Sequence, residues 1–307
     1  MRYFITHITE VKLPMAIMLL VICLVGWIPN LIDNTLFSSI CLLLTIVNSV
    51  LLTQVCYSAN ISRSRSLLPI VIYLLLFSMI EWVQTEWKAQ IVISAVFVVA
   101  IILQKTYRHE KAVEQSFLTT LILLAASILI PDLIFFIPFL WLCFLFQQSM
   151  NLKVWLSSIN AIVLVAIYVT LMYLFNYDNL IPYTFNDLTD RTFILSNISN
   201  FTDKYPISII YLEVLSLILI GLSVINLNRQ NISVQSFVII FIILLIPALV
   251  LSLWSINEFY SSAYLLFVSL SALCAYYFQN DASLAKGIIF IVTVLSLIGT
   301  RIWFYIF

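Results

Sequence analysis

Glycine is nearly missing from this 307-residue chain: Gly26, Gly221, Gly287 and Gly299 are the four, and no two lie close together. Loops that cradle phosphates need clustered glycines so that backbone N–H groups can approach the ligand, which excludes Walker and dinucleotide-binding loops. Charge is equally scarce. Asp, Glu, Lys and Arg make up 9% of the residues, and fourteen acidic side chains cancel fourteen basic ones. A neutral chain carries no electrostatic footprint for nucleic acid. The cysteines, Cys23, Cys41, Cys56, Cys143 and Cys274, fall within or at the ends of apolar runs without C-x-x-C spacing, which argues against a disulfide framework or a zinc site. Imidazole occurs only at His7 and His109, short of the three or four converging ligands a metal centre needs.

What the chain has in abundance is hydrocarbon. Hydrophobic residues are 63% of the total and the mean hydropathy is +1.12, whereas soluble domains run to about 45–50% apolar and about 25% charged. Apolar runs cover 13–32, 36–57, 66–83, 90–103, 116–130, 133–146, 154–175, 207–227, 234–254, 261–278 and 284–307. In a bilayer every unpaired backbone amide is costly, so such runs are predicted to be helices. A β-barrel would need alternation, and the unbroken string from Val238 to Leu245 refuses it. The expected fold is therefore all-α, a single polytopic transmembrane bundle of about ten or eleven spans. The uncertainty in number lies at 116–146: as helices the two runs there reach only about 22 Å each against a hydrocarbon core near 30 Å. They read as two full spans or as a hairpin broken at Pro131-Asp132.

The basic residues set an orientation. With eleven runs, Arg2, Lys12, Arg63, Arg65, Lys105, Arg108, Lys111, Lys153, Arg229 and Lys286 share the side of the N-terminus, and only Lys88, Arg191, Lys204 and Arg301 lie opposite. The positive-inside rule then puts the N-terminus in the cytoplasm and the C-terminus outside. The first run has no small-residue cleavage site after it and reads as a retained anchor. One connection is long, 176–206; it is predicted to be outward and to lie on the membrane like a lid, with Arg191 and several aspartates set among aromatic residues. Asn197 and Asn200 within it match the N-glycosylation acceptor pattern.

Polar residues inside the runs are the candidates for chemistry. Glu213 lies about two turns into its run, where a carboxylate is costly without a partner or water, so it is read as a substrate-binding candidate along with Asp132 and Arg191. Arg301 reads as an anchor that reaches to the headgroups. Glu81 and Glu86 flank Trp82 and Trp87 in an outward turn whose tryptophans fit an aromatic belt. Asn48, Gln54 and Asn160 are predicted to hydrogen-bond between helices.

Across roughly 64–175 the chain resembles an uncharacterised family of bacterial multi-pass inner-membrane proteins. The resemblance rests on Ser66-Leu-Leu-Pro-Ile-Val-Ile-Tyr73, on the basic turn Lys105–Lys111 and on the proline-broken hairpin Ser127–Trp141. That family is similar in layout to the GT-C superfamily, whose members transfer sugars from polyprenyl-phosphate donors on the outer face of the membrane. An acidic residue after the first span and another before a later inward span are features of that superfamily. Asp33 in Pro29-Asn-Leu-Ile-Asp33 and Glu86 before the run at Gln90 occupy those places, so the resemblance implies a catalytic role for both. One carboxylate would act as base on the acceptor hydroxyl and the other would hold a divalent cation against the leaving phosphate. Two other functions fit the same sequence. A transporter or flippase would line a central cavity with Glu213, Asn160 and Asp132, and a non-catalytic assembly subunit would use its helices to bind other membrane proteins.

Overall fold

The computed structural model describes residues 13–33, 35–61, 67–78, 84, 86–108, 112–175, 207–225, 227, 230–254, 259–279 and 284–306. The long connection 176–206, with Arg191, Asn197 and Asn200, lies outside the described residues, as do the side chains of Asp33 and Arg301. Every regular element among the described residues is helical. The α-helices are α1 (Leu13–Asp33), α2 (Thr35–Ser58), α3 (Leu68–Ser78), α4 (Trp87–Gln104), α5 (Val113–Ser127), α6 (Ile137–Phe146), α7 (Leu152–Leu174), α8 (Ile207–Ile225), α9 (Ile232–Trp254), α10 (Phe259–Gln279) and α11 (Leu284–Ile306). A 3-10 helix, Pro131–Phe136, joins α5 to α6.

Four stretches, Leu36–Ser58, Trp87–Gln104, Leu152–Met172 and Ile232–Ser252, are long and apolar enough to cross a bilayer by length and composition. Their surroundings invert the logic of a water-soluble fold. Leu24, Ile32, Leu36, Leu43, Leu164 and Leu217 face outward, while Asn48, Gln90, Thr120, Ser158 and Ser271 are buried. Water would reverse that sorting; lipid tails welcome the leucines and leave the amides and hydroxyls to find one another between helices. The chain is a multi-pass, all-helical membrane protein.

Helix α10 is the axis of the bundle, with every residue from Tyr264 to Phe278 buried. It packs against α9, α8, α3 and α4, and more lightly against α2 and α11. Aromatic rings run from α4 to this axis: Phe97 meets Tyr73 edge-on at 5.9 Å, Tyr73 stacks on Phe77 at 4.4 Å, and Phe77 meets Phe267 at 4.7 Å. Such pairs favour offset and edge geometries because the ring faces are negative and the edges positive.

Gly26 explains how α1 and α3 come so close. A Cβ at that position would stand 2.6 Å from the Ser78 carbonyl oxygen, well inside van der Waals contact, so only glycine fits without a shift. Elsewhere the scarcity of glycine is felt at helix ends. Asn60 and Gln148 take the left-handed conformation, with φ of 56° each, at the position after a helix where glycine is usual. The Ile61 amide donates to Cys56 O and the Ser149 amide to Phe144 O, so α2 and α6 both close in the six-to-one hydrogen-bonded turn that satisfies the last carbonyls.

The hairpin at 113–146 resolves into unequal arms. Helix α5 has 15 residues and α6 has 10, about 22 Å and about 15 Å at 1.5 Å per residue. The 3-10 helix between them begins at Pro131, whose fixed φ and missing N–H suit a helix start.

Candidate functional site

Asn30, three residues before the end of α1, donates through Nδ2 to Gln84 Oε1 at 2.7 Å. Gln84 stands ahead of α4 and is fully buried, and its own Nε2 donates to the last carbonyls of α3, Ser78 O at 2.9 Å and Phe77 O at 3.4 Å. Ser38 on α2 donates to Asn30 O at 2.9 Å. One amide pair thus ties α1, α2, α3 and the approach to α4 into a single corner. It satisfies helix-end carbonyls that would otherwise be stranded away from water.

Both acidic residues singled out by the GT-C resemblance border this corner. Asp33 is the last residue of α1, about one turn beyond Asn30. Glu86 follows Gln84 by two residues, is exposed, and sits at the N-cap of α4 with φ −97° and ψ 85° without a side-chain cap bond. A carboxylate at that place suits the partial positive charge of the helix start, a purely structural use for the residue.

The other two described candidates lie elsewhere. Asp132 is fully buried in the first turn of the 3-10 helix, whose main neighbours are α5, α6 and α9. Glu213 on α8 is half-buried and accepts a hydrogen bond from Ser252 Oγ on α9 at 2.8 Å through Oε1. Two residues earlier on α8, the Tyr211 hydroxyl and Ser296 Oγ of α11 stand 2.6 Å apart. Glu213 therefore takes part in helix packing around α8.

No family model, curated protein or solved structure matches the chain. What it can do must be read from its own geometry.

Of the three amides predicted to join helices, Asn48 does so. Its Nδ2 donates to Gln90 O and Gln90 Oε1, each at 3.0 Å, and its Oδ1 accepts from Ser94 Oγ at 2.6 Å. Gln54 and Asn160 are instead exposed on α2 and α7. Helix α7 packs chiefly on α5. Along that seam Thr120 and Ser158 hydroxyls lie 2.8 Å apart, Trp141 Nε1 donates to Ser158 Oγ at 2.9 Å, and Ser116 and Ser157 bond to carbonyls of the facing helix. Asn160 faces away from it.

Sequence reasoning named Asp33 and Glu86, which follow the corner residues in the chain, and overlooked Asn30 and Gln84. The available signal was weak: an amide near each end of an apolar run, indistinguishable in sequence from a loop residue.

Proposed function

We propose that the chain is a bacterial inner-membrane protein that handles a lipid-linked sugar at the face opposite its basic turns, in the manner of the GT-C superfamily. In this reading the bundle crosses the bilayer about ten or eleven times, with its N-terminus in the cytoplasm and its C-terminus outside. Asp33 and Glu86 serve the acceptor hydroxyl and a divalent cation at the donor phosphate. The observation that supports it is the Asn30 to Gln84 hydrogen bond, which draws the end of α1 and the start of α4 to one corner. Arg191, in the connection 176–206, is assigned to the donor phosphate. The test is replacement of Asp33 and Glu86 singly, by Asn and Gln, followed by analysis of surface glycans and lipid-linked sugars. Accumulation of an undecorated acceptor in both variants is the expected result, and unaltered glycans in both overturn the reading.

A second reading has its own observation. Asn160 is an exposed amide about two turns into α7, on a face turned from the bundle. An amide in hydrocarbon gains by meeting a polar group on another helix, so an assembly subunit would dock a partner membrane protein there. Loss of a co-purifying partner on Asn160→Leu, with glycans unchanged in the Asp33 and Glu86 variants, favours that reading over the first. The flippase reading has less support, because Glu213 is engaged by Ser252.

A further inference from the structure

At the opposite, basic end of the bundle the turn after α4, the turn after α6 and the start of α9 enclose a cavity of about 160 Å³. One water needs roughly 15 Å³ by the same measure, so the space suits a small molecular group. Its walls are of two kinds. Tyr107, Gln147, Gln148, Gln235 and Ser236 are polar, and Phe146, Ile232, Ile239 and Ile240 are apolar.

The polar wall is held in place. Arg108 N donates to Gln147 O at 2.9 Å and Arg108 Nε to Gln148 Oε1 at 3.0 Å, while the Thr106 hydroxyl engages Gln147 Oε1. Arg108 adopts a positive φ of 52°, uncommon for a residue that carries a side chain, and Gln148 is the left-handed residue that closes α6. The Arg108 guanidinium also stacks over the Tyr107 ring, 5.4 Å from its centre. The Arg108 side chain is exposed and is joined to the cavity wall through its Nε bond to Gln148.

Two wall residues are left incomplete. Gln147 is 2% exposed and Ser236 7%, yet Gln147 Nε2 and Ser236 Oγ find no hydrogen-bond partner among the described residues. Buried polar atoms are nearly always satisfied, so each such atom asks for a missing partner. Both residues line the cavity. Two donors and a neighbouring guanidinium select an oxyanion, and Arg is the side chain best shaped for phosphate. The apolar wall then decides the source. Phe146 is 60% exposed and Ile232 49%, giving an acyl chain a surface to follow out of the cavity into the bilayer.

We propose that this cavity binds the phosphate of an anionic membrane lipid, with Arg108, Gln147 and Ser236 on the headgroup and Phe146 and Ile232 along the chain. The site is independent of the Asp33 and Glu86 corner. The experiment measures the melting midpoint of the full chain in neutral detergent while short-chain phosphatidic acid is titrated in, beside inorganic phosphate as a second probe. The lipid is expected to raise the midpoint saturably, and Arg108→Gln and Gln147→Glu each to raise the half-saturating concentration about tenfold. Ser236→Ala, which removes a single oxygen from a helix, is expected to raise it several-fold and keeps the test decisive where a larger change fails to fold. An equal response to inorganic phosphate overturns the lipid as ligand and leaves an anion site. No saturable response to either probe, or the same half-saturation in the variants as in the native chain, overturns the site altogether.

Discussion

At the scale of single residues, close approach and polar satisfaction decide which positions tolerate change. Gly26→Ala drives a methyl group into the Ser78 carbonyl; backbone cannot yield as a flexible side chain can, so α1 must move off α3. A loss of about 1–3 kcal/mol is expected, measured by unfolding of the purified protein in detergent, and an unchanged midpoint would contradict the contact. Asn48→Ala removes the acceptor of Ser94 and the donor to Gln90 together. Ser94 keeps Gln90 O as a partner, and the loss expected is about 1–3 kcal/mol, because the buried Gln90 side-chain oxygen left without its donor costs more than the hydrogen bond gave. Asn160→Leu, at an exposed position, is expected to leave the midpoint of the isolated chain unchanged in the same measurement. These three residues also show where sequence reading stops. Asn48 and Asn160 look alike in sequence, each an amide in an apolar run, and only one is interior. Lipid tails and neighbouring leucines are equally apolar, so hydropathy cannot tell a helix face that meets a helix from one that meets lipid.

At the scale of elements, the apolar runs translate into helices because hydrocarbon leaves the backbone no other partner. The order of helices follows from that alone. Their neighbours do not: α10 and α7 come from runs of similar character, yet α10 is buried on all sides and α7 packs chiefly on α5. The seam between α5 and α7 is built from hydroxyls at Ser116, Thr120, Ser157 and Ser158. Ser158 is its hub, since it meets Thr120 and also accepts from Trp141. Ser158→Val is expected to destabilise the hairpin and α7 by about 1–2 kcal/mol, more than Ser157→Val, because it leaves two side chains, Thr120 and Trp141, without their partner, whereas Ser157→Val leaves only the Val113 carbonyl. Equal midpoints for the two variants would show that the seam is held by packing alone. The short arms of the hairpin were foreseeable from the proline at 131, whereas nothing in the sequence marks 131–136 as 3-10 rather than α.

At the scale of the whole molecule, the account rests on an asymmetry between two ends. One end carries the turns after α4 and α6, with Lys105, Arg108 and the cavity lined by Tyr107, Gln147 and Ser236, and the other gathers Asn30, Gln84 and Glu86 at the corner of α1 to α4. The proposed carboxylate site and the proposed lipid-phosphate site lie at opposite ends of α4, and the proposed topology puts those ends on opposite sides of the membrane. That relation is tested directly by labelling intact cells with a membrane-impermeant maleimide after placing a cysteine at position 86 or at position 108. The five native cysteines are buried, which keeps the background low. The account predicts that Glu86→Cys is labelled in intact cells and Arg108→Cys only once the membrane is permeabilised. Labelling of both from the same side, or of position 108 alone from outside, would contradict it.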